Sequence, residues 1–261
     1  MKKLMFAVAA MAAGIAVADI SSSNIVGYTN KDAEQGKFMI LGAQFDDMAG
    51  GNDISIIGGL VGVPYDDGGD FLKTAPQVQI PNSMGGYDTY YYLQDAWDSD
   101  SQNVVQGWSD NFGDLVKASF TPGVAMWLKS VETPSNANVA GQVTDAEDIT
   151  IECPASFALR ANVFPEAFDI NGKNVEYPEI AAVPYDDGSD FLKTAPQIQI
   201  PNAMGGYDTY YYLQDAWDSN LQMGVPGWSD NFGDLVSSTV PVAQGFWTKG
   251  MGGTMKIKFI K

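Results

Sequence analysis

The chain has no histidine and one cysteine, Cys153, in 261 residues. Without imidazole, Ser-His-Asp and Cys-His catalysis are excluded, as are zinc, copper or iron sites built on histidine. One cysteine cannot close an intramolecular disulfide, so Cys153 is expected either buried and inert or paired between chains. It ends the alternating run Asp148-Ile149-Thr150-Ile151-Glu152, which favours a thiol at a strand end. Basic residues are scarce as well, with 14 Lys and Arg against 32 Asp and Glu and a net charge of -18. Such a field repels nucleic acid and anionic lipid, both of which need a basic footprint. It suits solubility in a salty medium, or attraction of cations such as Ca²⁺.

The one long apolar stretch lies at the start. Met1, Lys2 and Lys3 precede an apolar and small-residue run from Leu4 to Ala18 that ends Ala16-Val17-Ala18. This pattern predicts a signal peptide over 1–18, cleaved after Ala18. The run is shorter than the roughly 20 residues of a membrane-spanning helix, and no cysteine follows it to carry a lipid. Cleavage would take away two lysines and no acid, leaving a net charge of -20. The mature chain is therefore expected in the periplasm, at the cell surface or outside the cell, without membrane insertion.

The dominant feature is an internal repeat, which has to be found before any fold is assigned. Residues 63–116, beginning VPYDDGGDFLKTAPQ, return at 183–236 as VPYDDGSDFLKTAPQ, with eight mismatches in 54 positions. Fainter likeness extends outward. Phe38-Met39-Ile40-Leu41 answers Phe157-Ala158-Leu159-Arg160, Asn24-Ile25-Val26-Gly27 resembles Asn138-Val139-Ala140-Gly141, and Gly123 to Lys129 answers Ala243 to Lys249. The expected organisation is a β domain over 19–130, a linker at 131–137 rich in small and polar residues with Pro134, and a second β domain over 138–261.

Within each copy the pattern is that of strands. Gln77 to Ile80 alternates with period two, Pro81 to Gly86 is turn-rich, and Tyr87 to Leu93 resumes in β-preferring residues, which together predict a hairpin. Tyr87, Thr89, Tyr91 and Leu93 share one face, expected to look into the core, with Asp88, Tyr90, Tyr92 and Gln94 on the other. Further strands are expected at 24–29, 37–45, 124–129, 138–144, 148–153, 157–164, 244–249 and 253–260, with at most a helical turn near Asn111 to Val116. The strand at 138–144 fits equally as the last of the first copy or the first of the second. The fold class is all-β, as two tandem homologous sandwich or barrel-like domains.

Two short motifs carry a resemblance. Phe157 to Pro165, followed by Asp169-Ile170-Asn171-Gly172, resembles the "GNPFP…DIN" opening of tandem β domains in exported bacterial surface proteins, and Val242 to Lys249 is similar to their "PPGxGFWVK" close. The first copy departs from the pattern with Gly42-Ala43-Gln44-Phe45-Asp46 and Met126-Trp127. The resemblance implies an exported surface protein without assigning catalytic residues.

Three candidate chemistries follow from the loops. Asp66, Asp67, Asp70, Asp95 and Asp98, repeated as Asp186, Asp187, Asp190, Asp215 and Asp218, have oxygen ligands at spacings that suit calcium, although none completes an EF-hand loop. Solvated turns explain the same aspartates through their own Asx hydrogen bonds. Tyr90, Tyr92, Trp97 and Trp108, with Tyr210, Tyr212, Trp217 and Trp228, lie beside acids and amides as in sugar-binding sites, and core packing explains them too. A carboxylate-based glycosidase needs no histidine, but no aspartate lies in an evidently apolar setting that would raise its pKa. The expected function is a non-enzymatic structural or adhesive cell-surface protein, whose partners are copies of itself or a surface polysaccharide. The alternative is a carbohydrate-binding protein with one site per repeat. No cofactor is expected apart from the calcium alternative.

Overall fold

The computed structural model describes residues 26–33, 35–46, 52–66, 68–130, 135–186, 188 and 190–261. The expected signal peptide, Asp67 and Asp187 lie outside the described residues, as does most of the expected linker. The fold is all-β. The first half runs β1 (Val26–Ala33), β2 (Phe38–Gly42), β3 (Ile57–Gly58), the one-turn helix α1 (Phe71–Thr74), β4 (Gln77–Pro81), β5 (Tyr87–Asp98), β6 (Asn103–Ser109), β7 (Ala125–Lys129) and β8 (Ser135–Gln142). The second half runs β9 (Asp148–Cys153), β10 (Ala158–Ala161), β11 (Phe168–Asp169), β12 (Val175–Glu176), α2 (Phe191–Thr194), β13 (Gln197–Pro201), β14 (Tyr207–Asp218), β15 (Met223–Ser229), β16 (Thr239–Val240), β17 (Gly245–Lys249) and β18 (Met255–Ile260).

The two halves repeat one plan. Each has a five-stranded antiparallel sheet, ordered β2-β7-β4-β5-β6 in the first half and β10-β17-β13-β14-β15 in the second. Each also has a three-stranded sheet, β1-β8-β3 or β9-β18-β12. The sheets pack face to face because each strand alternates apolar and polar side chains. In the first half Leu41, Val78, Met126 and Leu128 of the larger sheet meet Ile57, Ala137 and Val139 of the smaller one. In the second, Ile198, Phe246 and Trp228 meet Ile151, Met255, Ile257 and Phe259. Cys153 is free and fully buried in this second core, and burial pushes its thiol pKa up.

Strand pairing settles where the middle of the chain belongs. β8 pairs with β1 from Val26–Gln142 to Ala33–Ser135, and with β3 through Ile57–Val139. Residues 135–137, expected in the linker, and 138–142, expected at the head of the second copy, thus lie in the first half's sheet. The physical reason is that Val26-Gly27 and Ala140-Gly141, alike in sequence, belong to two strands that pair antiparallel with each other. The structural counterpart of β1 is β9, which pairs with β18 from Asp148–Ile260 to Cys153–Met255.

The faces of the long hairpin strand are also reversed from expectation. Tyr90 and Tyr92 pack against the core between the sheets, whereas Tyr91 and Leu93 pack outward against Phe71 of α1. Phe71 meets Tyr91 edge-on, with ring centroids 5.5 Å apart. A four-residue helix is too short to show a periodicity, so its covering of the outer face left no sequence signal. A β-bulge between Leu93 and Ala96 then shifts the register of β5 and lets both side chains reach the same outer cluster although they are three positions apart.

The halves dock through small residues. Gly42 N–H donates to Ala243 O and Ala161 N–H donates to Gly123 O, each at 2.9 Å, which are equivalent bonds running in opposite directions. Ile40, Ala125, Leu159 and Ala161 form a buried cluster here, flanked by Trp127 and Trp247 with ring centroids 6.1 Å apart.

Candidate functional site

The repeated loops interlock with one another. Asp66 accepts Asp70 N–H at 2.9 Å and Phe71 N–H at 2.8 Å through its two carboxylate oxygens, which seats the start of α1. Asp95 Oδ1 accepts Tyr65 N–H at 2.6 Å and ties that loop to β5. Asp110 Oδ1 accepts the N–H groups of Phe112 and Asp114, at 2.8 and 3.1 Å. The turn it closes needs Gly113, whose φ is +86° and where a Cβ would lie 2.5 Å from Tyr65 Cε2. Asp98 accepts Asp100 N–H at 3.0 Å and Ser101 Oγ–H at 2.7 Å, and these bonds, the Ser101 hydroxyl foremost, hold its carboxyl pKa below the ordinary value. Asp70 lies 3.5 Å from Lys73 on the surface. Asp186, Asp190, Asp215 and Asp230 repeat these roles, while Asp218, with Leu221 in place of Ser101, accepts the backbone N–H groups of Asn220 and Leu221 at 2.8 and 3.2 Å. Among the described residues no three Asp, Glu or Cys groups converge as a metal site would require.

The candidate aromatics divide into two sets. Trp108 and Trp228 are 3% and 0% exposed, in the cores. Tyr92 meets Trp108 at 5.1 Å and Tyr212 meets Trp228 at 5.2 Å, both edge-on, and Tyr90 and Tyr210 pack partly buried beside them. Burial raises the Tyr92 and Tyr212 hydroxyls above their ordinary pKa of 10.0. Only Trp97 and Trp217 of the set are exposed, at 42% and 44%.

Sequence reasoning missed the residues around the Tyr-Trp pairs, and here the halves differ. In the first half a cleft of about 800 Å³ opens beside Tyr92 and Trp108, bordered by Ser55, Ile56, Val105 and Val116. In the second half Tyr177 stands over the matching pair, 5.7 Å from Tyr212 and 5.3 Å from Trp228. Its hydroxyl donates to Ile170 O at 2.8 Å, and burial raises its pKa well above 10.0. Asn171, in the Asp-Ile-Asn motif, accepts the Trp228 backbone N–H at 2.9 Å and donates to Trp228 O at 2.9 Å and Val236 O at 2.7 Å. The signal was a length difference: thirteen positions separate Ile170 from Val183, and nine separate Ile54 from Val63.

A second cavity of about 380 Å³ lies between the halves, bordered by Lys31, Phe38, Trp127, Met204, Tyr207 and Gln244. Lys31 Nζ donates to Gln244 Oε1 there at 2.8 Å, and burial lowers its pKa. Among the described residues no helix is long and apolar enough to cross a membrane. No family model matches the chain, and neither does any curated protein or solved structure.

Proposed function

We propose that the chain is a non-enzymatic, exported structural or adhesive protein of the bacterial cell surface. The observation that carries this reading is how the repeated residues are used. In both halves the loop aspartates accept backbone N–H groups or side-chain hydroxyls, and Trp108 and Trp228 fill the cores. Residues held nearly identical between the copies thus hold the loops and sheets in place, as a scaffold requires. The Lys-Lys start and apolar run to Ala18 support export, and the motifs at 157–172 and 242–249 support membership among surface β domains. Expression with the native leader in a bacterial host, followed by fractionation and mass measurement, tests the reading. A periplasmic, surface or released chain lacking residues 1–18 is expected; an intact chain confined to the cytosol overturns it.

A second reading, carbohydrate binding with one site per repeat, is favoured by the equal exposure of Trp97 and Trp217, since an exposed ring beside polar groups suits sugar stacking. Soluble polysaccharides would then quench tryptophan emission in the wild type and not after Trp97→Ala with Trp217→Ala. Silence in the wild type removes this reading.

A further inference from the structure

The two halves share the Tyr-Trp pair and differ in what lies over it. Tyr177 and Asn171 come from the stretch that is four residues longer in the second half. In the first half the shorter stretch leaves Ser55 at the position of Asn171: Asp53 Oδ1 accepts Ser55 N–H at 2.8 Å, as Asp169 Oδ1 accepts Asn171 N–H at 2.8 Å. Trp108 Nε1 donates to Ile57 O at 3.1 Å. Over Tyr92 and Trp108 the structure has the cleft of about 800 Å³, within the size range of ligand sites.

We propose that this cleft is a docking site for a tyrosyl side chain presented by a partner polypeptide, so that the first half receives from outside what the second half supplies to itself. Tyr177 shows the chemistry such a pair accepts: a phenol ring edge-on to the tryptophan and tilted against the tyrosine, with its hydroxyl on a backbone carbonyl. An aromatic body with a polar tip suits such a half-apolar pocket. The net charge of -18 opposes a second copy of the chain as the partner and favours a neutral or basic segment. The site is independent of the export and scaffold reading, and either can fail alone.

The test is calorimetric titration of the full chain with the heptapeptide Asn171–Tyr177 (NGKNVEY), which carries one Lys and one Glu and so has no net side-chain charge. One equivalent is expected per chain, because the second half is already filled. A peptide with Tyr177→Ala is expected to bind at least about tenfold more weakly. Ser55→Trp in the protein, placing a large ring at the cleft's border, is expected to weaken the wild-type peptide about tenfold as well. Absence of saturable binding at about 1 mM peptide, two equivalents per chain, equal binding of the alanine peptide, or undiminished binding to folded Ser55→Trp overturns the proposal. The alanine peptide keeps the test decisive should Ser55→Trp fail to fold.

Discussion

Replacing Gly245 by alanine tests whether the two halves form one packed body. Gly245 begins β17 at the line where the halves meet. A Cβ there would lie 2.5 Å from Ala125 Cβ, press against Ile40 Cγ2, and come within 3.3 Å of Arg160 O. Its φ lies outside the left-handed region, so the backbone accepts alanine and the cost is steric. Loss of glycine's freedom in the unfolded chain returns about 0.4–1 kcal/mol. Overpacking a buried, close-fitting site costs about 1–3 kcal/mol. Sterics win, by about 1–2 kcal/mol net, equivalent to a fall of about 2–8 °C in Tm for a chain of this size. Thermal melts of the wild type and variant measure it, with Gly58→Ala as control because nothing lies within 4 Å of a Cβ at Gly58. Pairing Gly245→Ala with Ala125→Gly removes one of the two clashing carbons, so the double variant should recover part of the loss, which a double-mutant cycle detects. An unchanged or higher Tm for Gly245→Ala would refute the docking of β17 against β2 and β7.

Asp110→Ala removes the acceptor of two backbone N–H groups and should cost about 1 kcal/mol, as should Asp230→Ala, with near-additive losses in urea melts of the double variant. Alkaline pH should destabilise the fold. The folded pKa of Tyr177 is raised well above its ordinary 10.0 by burial, so only the unfolded chain loses this proton just above that pH, and stability is full below pH 10 and falls above it. Urea midpoints at stepped pH check this, and Tyr177→Phe should flatten the decline. Cys153 is buried with a raised thiol pKa, so a thiol reagent should leave the native chain unmodified and label one group per chain after denaturation. Rapid native labelling would place Cys153 outside the core.

The repeat, the β class and the hairpin were legible because they rest on local signals: near-identity at a fixed spacing, period-two alternation, and turn residues between two β-rich runs. What stayed hidden depends on contacts between distant parts of the chain. The direction of Tyr91 turned on a four-residue helix, and the place of residues 135–142 turned on which strand they pair with. The docking line of Gly42, Ala125, Ala161 and Gly245 has no pattern in sequence, since small residues mark close approach only once the partner is known. The candidate site was half legible. The composition pointed to the Tyr-Trp pairs, but a pair looks the same in sequence whether a third aromatic packs on it or a cleft lies beside it.

That last difference changes how the duplication bears on function. Near-identity between the copies first points to residues 63–116 and 183–236 as the place of a shared activity. In the structure those residues hold helix starts, close turns and fill cores, which both halves need equally in order to fold. Two equal scaffolds give no reason for the copies to differ, so a specialised role is to be sought where they diverge in length. The longer stretch after Ile170 brings Tyr177 onto Trp228, and Asn171, at the position of Ser55, bonds the Trp228 backbone, so that the second core is completed from within. The first half, built on the same scaffold, has a cleft of about 800 Å³ at the same aromatic pair. The closed copy therefore serves as an internal reference for the open one, and a ligand that bound both halves alike could not be using this cleft.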